Sequence, residues 1–406
     1  MGTKFRLSIM MFLEFFIWGA WYVTVANYMG QLGMSKYVYW AFTVGPIGAI
    51  VSPFFLGMVA DRFFPTERVL GVMHMLGGIA MFCAPFVVSS PVAFIGMLLL
   101  HMLCYQPTIG LVNTLAFHHI RSQEKEFPLI RAFGTIGWIV AGVLVSGLLA
   151  ADTTAIPLHI AGAAGVLMGL YSFTLPHTPP PAAGRKTSFR EIAGIDAISR
   201  LSSRSFNIFI LSSLLICIPL AAYYSYAQMF VAHAGFAKPG FSLSFGQMSE
   251  AVFIVLLPFF FRFLKVKWTL FVGMLAWVLR YVLFALGAPD AVVWMIYGGI
   301  LLHGICYDFF FVTGQIYVDK KASADIRGQA QGFIVLVTYG VGMLIGAQVT
   351  GWIFNATVTE TGAAALPQWQ SFWWIPAGFA AAVLVLFGLL FRDDSGSPAQ
   401  KKGARS

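Results

Sequence analysis

The sequence predicts an all-α membrane protein with 12 transmembrane helices in two six-helix halves. Three observations carry that expectation. The 406-residue chain is 59% apolar and only 10% charged, whereas an ordinary soluble domain carries roughly 25% charged residues. It divides into apolar segments of bilayer-spanning length. One long polar stretch interrupts them near the middle. The apolar excess excludes a cytosolic enzyme, a nucleic-acid-binding protein and a secreted disulfide scaffold, and it makes the lipid bilayer the chain's main partner.

The first six segments fall at about 5–28, 38–60, 69–90, 92–117, 128–150 and 157–175. The second six fall at about 206–232, 245–264, 269–287, 291–318, 328–354 and 370–391. Lys4 and Arg6 before the first segment resemble a signal peptide. No small-residue cleavage site follows, so the segment is read as a retained span. Residues 1–176 then form an N-terminal half, 177–205 a cytoplasmic linker, 206–391 a C-terminal half and 392–406 a cytoplasmic tail. The linker opens on Pro179, Pro180 and Pro181 and carries Arg185, Lys186, Arg190, Arg200 and Arg204.

Charge sets the orientation. With the N-terminus in the cytoplasm, nearly every loop Lys and Arg falls inside, and only Lys36 and Lys238 lie in outer loops. Cytoplasmic loops collect basic residues in this way, so the net charge of +9 reports topology. Cys83, Cys104, Cys217 and Cys306 lie inside apolar runs without ligand spacing, which reads as buried free thiols and no metal site. The stretch 99–106 (LLHMLCYQ) reads much like 301–308 (LLHGICYD), between equivalent spans of the two halves. Parallel repeats of this kind mark transporter halves that rock about a central site.

Ionisable residues inside the spans are the candidates for function. A charge at the bilayer centre costs about 2.5–3.5 kcal/mol even on the lenient insertion scale. Arg131, with Thr135 and Trp138 on successive turns, lies on the fifth segment. Gln247 and Glu250 share a face of the eighth, and His303, Tyr307 and Asp308 lie on the tenth. The alternative for Arg131, Glu250 and Asp308 is an interior salt bridge that only locks the halves together. Glu14 could pair locally or join a proton path. Arg280, nearer the end of its span, is expected to snorkel as a structural residue. No phosphate-binding glycine loop, HExxH or GxSxG motif is present, and no cofactor is indicated.

Residues 57–68 (GMVADRFFPTER) resemble the loop between the second and third spans of the major facilitator superfamily, with Gly57, Asp61, Arg62 and Arg68 at the motif positions. Physically this is a cytoplasmic charge cluster at helix ends, suited to gating. A narrower likeness covers nearly the whole chain. The stretches 15–21 (FFIWGAW), 107–114 (PTIGLVNT), 131–137 (RAFGTIG), 247–250 (QMSE), 276–280 (AWVLR), 307–310 (YDFF) and 326–332 (IRGQAQG) are similar to the nucleoside:proton symporter family. The resemblance implies the major facilitator fold and uptake of a nucleoside with a proton. It implies that Arg131, Gln247, Glu250 and Asp308 line the site, beside Thr135, His303 and Tyr307. Two positions depart from the family pattern: Glu14 stands where a neutral amide is expected, and Phe311 where an asparagine is.

From this follows an expected mechanism. Ribose hydroxyls suit Glu250 and Gln247; the base suits the faces of Trp138, Tyr307 or Tyr224 and the edges of Thr135 or Gln228. Desolvation favours a protonated carboxyl and a nearby cation an ionised one. An Asp308 whose pairing with Arg131 alternates would take up and release a proton as the halves rock. Asp308 is the first choice for the proton carrier and Glu250 the second, with Glu14 also a candidate. The rivals are a facilitator for a sugar, sugar-like solute or drug, and a membrane-embedded receptor or enzyme using Asp308 and His303. Short loops favour a bacterial inner membrane, with both termini cytoplasmic and a monomer as the functional unit.

Overall fold

A computed structural model describes residues 2–56, 63–180, 199–323 and 326–394. Every regular element among the described residues is helical. The helices used below are α1 (Thr3–Tyr22), α2 (Val38–Phe55), α3 (Thr66–Cys83), α4 (Pro91–His119), α5 (Gln123–Gly142), α6 (Ile156–Ser172), α7 (Arg204–His233) and α8 (Pro239–Gly287). They are followed by α9 (Val293–Lys321), α10 (Arg327–Thr357) and α11 (Leu366–Leu390), of which α9 and α10 are composite. Ten helices among the described residues are long and apolar enough to cross a membrane, and α6 is a shorter apolar helix. The 49-residue α8 breaks at Lys265, whose φ of 56° is left-handed, between the eighth and ninth expected segments.

The chain forms two compact units. The first holds the segments before the linker together with Tyr223–Ser244 and Ala347–Asn355; the second holds the rest of the second half. Within the first unit, small residues bring helices together. A Cβ on Gly78 of α3 would lie 2.6 Å from the Val166 backbone nitrogen and 2.8 Å from the Gly162 carbonyl of α6. A Cβ on Gly137 of α5 would run into the Phe12 carbonyl of α1. In lipid no hydrophobic force drives helices together, so such close backbone approach supplies the dispersion contact that does.

Helix ends and faces follow from local chemistry. At the start of α4, Pro91 occupies the first turn and the Ser90 hydroxyl accepts from the Ala93 amide at 3.3 Å. On α5, Leu129, Phe133, Ile136 and Val140 form one exposed apolar stripe. That stripe suits acyl chains and turns Arg131, Thr135 and Trp138 towards the protein, where all three are half-buried. At the linker's start, Glu67 accepts from the Thr178 amide and pairs with His177, both at 2.9 Å. Arg68 is exposed in the first turn of α3. Gly57, Asp61 and Arg62 of the expected gating loop lie outside the described residues, as do most of the linker and tail.

Candidate functional site

In the second unit α8 and α9 carry the acids. The Ser249 hydroxyl donates to the Leu301 carbonyl at 2.6 Å, and Gly304 lies flush against Ser249, where a Cβ would come within 2.6 Å of its backbone. This clamp sets α8 against α9 one residue before Glu250. The Glu250 carboxylate then reaches His303 Nε2 at 3.7 Å. His303 is 1% exposed and Glu250 half-buried. The sequence grouped His303 with Asp308 because they share a helix; the structure brings it instead to Glu250.

Asp308 is 1% exposed, and its Oδ2 is buried with no hydrogen-bond partner. It opens a π-helical turn, Asp308–Val312, within α9. Such single turns widen the helix locally and recur at functional sites. Gln247 Oε1 is likewise buried without a partner. Tyr307 packs between His303 and Phe311, with ring centroids 6.0 and 5.2 Å away, and Phe311 packs edge-on to Trp277. The α8–α9 face thus combines a carboxylate–imidazole pair, a buried acid with acceptor capacity to spare and an aromatic wall.

Arg280 corrects an expectation. Far from snorkelling, it is fully buried, and its Nε donates to the Gly299 carbonyl at 3.1 Å. The acceptor lies on α9, so the guanidinium is held where that helix passes α8.

The first unit carries a cation and an aromatic cluster. The Arg131 guanidinium stacks 4.0 Å above the Phe15 ring. Trp138 packs against Trp18 at 5.4 Å and Tyr22 at 6.1 Å, and Tyr22 meets Tyr224 at 5.8 Å. Gln228 Nε2 donates to the Tyr22 carbonyl at 3.3 Å. Trp138, Tyr224 and Gln228 are therefore neighbours of one cluster, and Thr135 lies a turn before Trp138. Trp18 and Tyr22, which join these residues, carried no signal beyond their aromatic character.

Glu14 pairs locally. Its Oε2 lies 2.8 Å from His74 Nε2 and its Oε1 2.8 Å from the Thr108 hydroxyl, while Tyr105 donates to its backbone carbonyl at 2.6 Å. Glu14 and His74 are 0% and 2% exposed. The partnership joins α1, α3 and α4 and was invisible in sequence, because its members are 60 and 94 residues apart. The four cysteines are free thiols, three of them buried.

Residues 1–396 match the Nucleoside H+ symporter family. The chain is 36% identical to the putative nucleoside transporter YegT of Escherichia coli K12, over 97% of this chain and 95% of that protein. It is 31% identical to the nucleoside permease NupG of the same strain, over 97% and 96%. A crystal structure of the nucleoside transporter NupG superimposes with a TM-score of 0.85 at 29% identity, over 97% of this chain and 100% of that one.

Proposed function

Because the chain belongs to the nucleoside H+ symporter family, we propose that it imports nucleosides together with protons by alternating access. It is a multi-pass membrane transporter of the major facilitator fold and not an enzyme. The proposed setting is a bacterial inner membrane, with both termini cytoplasmic and the monomer as the working unit.

The observation that carries the residue roles is Asp308, an acid 1% exposed whose Oδ2 lacks a hydrogen bond. Burying an unpaired carboxylate costs several kcal/mol, and the protonated acid escapes that cost. Asp308 is thus suited to gain its proton before the loaded carrier reorients and to release it on the other side. Glu250, held by His303, is the second candidate. Gln247 and Glu250 are proposed to take ribose hydroxyls, with Tyr307 and His303 beside them. Trp138, with Tyr224, offers an aromatic face to the base; Thr135 and Gln228 offer polar edges, and Arg131 a cation. The loop motif residues Gly57, Asp61, Arg62 and Arg68 are proposed to act in gating.

Counterflow in proteoliposomes tests the substrate class. Labelled uridine should enter vesicles preloaded with uridine or adenosine, and excess sugar should not compete. Counterflow supported by a sugar and by no nucleoside would refute the assignment.

A further inference from the structure

The Thr108 hydroxyl has one proton and two acceptors to serve. Its Oγ1 lies 2.5 Å from the Tyr105 carbonyl and 2.8 Å from Glu14 Oε1. If that proton goes to the carbonyl, its shorter contact, the Thr108–Glu14 contact needs a proton from Glu14. If it goes to Glu14, two bare oxygens are left at 2.5 Å in a buried site. The first assignment gives the Thr108 hydroxyl and both Glu14 oxygens a partner. The Glu14 carboxyl O–H donates to Thr108, the Thr108 O–H donates to Tyr105, and a neutral His74 donates its Nε2–H to Glu14 Oε2.

Charge accounting agrees. With Glu14 and His74 both essentially inaccessible, one proton more than a carboxylate plus a neutral imidazole makes the pair neutral. Adding another makes the pair a buried cation, at a cost of several kcal/mol; removing it leaves a buried carboxylate with the Arg131 guanidinium among the groups that face it. The other ionisable groups facing the pair are His101, Tyr105 and Arg131. His101 Nδ1 is bonded to the Gly77 carbonyl at 2.9 Å and its ring stacks on Tyr105, whose hydroxyl is committed to the Glu14 carbonyl. Arg131 stacks on Phe15, the neighbour of Glu14 in sequence.

We propose that Glu14 and His74 form a second proton-binding site whose single proton stays resident through the transport cycle. This deepens the symport reading and rests on it: Glu14 leaves the set of coupling acids, and the travelling proton falls to the acids of α8 and α9. Glu14 becomes a positioning residue, acting through Tyr105, which packs on Trp18 and through it on Trp138.

Glu14→Gln tests this, since a carboxamide can donate to Thr108, accept from His74 and keep the site neutral. In proteoliposomes of the full chain it should retain gradient-driven uridine accumulation within about twofold, with an unchanged pH profile, as expected when neutral hydrogen bonds are conserved. Loss of gradient stimulation with exchange intact would mean that this proton travels, and the proposal would fall. A Glu14→Gln protein that no longer purifies as a monodisperse species would also overturn it. Infrared spectroscopy supplies a readout independent of transport. Wild type should show a protonated-carboxyl stretch that Glu14→Gln lacks. Identical spectra in that region would remove the resident proton. If wild type moves no nucleoside, the substrate assignment fails while the infrared comparison still decides this site.

Discussion

Two carboxylates outside the spans show how opposite surroundings give opposite pH behaviour. Burial pushes the Asp152 carboxyl up from its usual value, against hydrogen bonds from Ser146 and the Gly240 amide. Its folded form therefore binds a proton more tightly than its unfolded form. Its contribution to stability is present in acid and is lost as pH rises through the folded value. For Asp394, burial also pushes up, but hydrogen bonds from Lys321, Tyr317 and Ser203 together with the Lys321 charge hold the carboxyl below its usual value. That contribution is present above the ordinary carboxyl range and is lost as pH falls through the depressed value. Thermal melts across pH should thus show Asp152→Asn flattening the decline on going from acid to neutral, and Asp394→Asn flattening the loss in acid. The opposite signs would refute the assigned surroundings. Trp138→Ala should raise the uridine KM by about 2- to 12-fold, the equivalent of one lost aromatic pair. An unchanged KM would remove Trp138 from the substrate face. Of the residues themselves, Arg131, Glu250 and Asp308 stood out as candidates because lipid makes a charge conspicuous. Arg280 was misjudged, since its partner is a backbone carbonyl on another helix, which no local pattern reveals.

At the scale of elements, contact depends on what the helices leave out. Gly78 meets α6 backbone at distances that leave no room for a side chain, so Gly78→Leu must part α3 from α6. A fall in melting temperature of about 1–4 °C should accompany it, as overpacking costs about 1–3 kcal/mol. Gly96, whose added Cβ would meet nothing within 4 Å, gives the control. Equal melting temperatures for leucine at both positions would contradict the packing account. The start of α8 is held differently. Asp152 accepts from the Gly240 amide and Ser146 from the Phe241 amide, both at 2.9 Å, so the first turn is capped by residues remote in sequence. Asp152→Ala should speed amide exchange at 240 and 241 selectively. The helices could be read from apolar length, and the inward face of α5 from residue spacing. The remote cap and the π-helical turn at Asp308 could not, because each depends on tertiary contact or on a hydrogen-bond shift that leaves hydropathy unchanged.

At the scale of the molecule, composition and family motifs were sufficient for an all-helical membrane transporter: among the described residues ten helices are long and apolar enough to cross a membrane, α8 runs through the eighth and ninth expected segments, and the sixth is a shorter apolar helix. The chemistry within the transporter required the fold. His303 shares a helix with Asp308 yet faces Glu250, and Glu14 finds its partners on helices far along the chain. The proposed roles divide accordingly, with a resident proton at Glu14 and His74 and a travelling one at the acids of α8 and α9. Asp308 is proposed to carry the coupled proton. Labelled uridine uptake into proteoliposomes, with and without an inward proton gradient, compares wild type with Asp308→Asn. Wild type should show gradient-stimulated accumulation, and Asp308→Asn should lose that stimulation while retaining uridine exchange. Gradient-driven accumulation by Asp308→Asn equal to wild type would contradict that role.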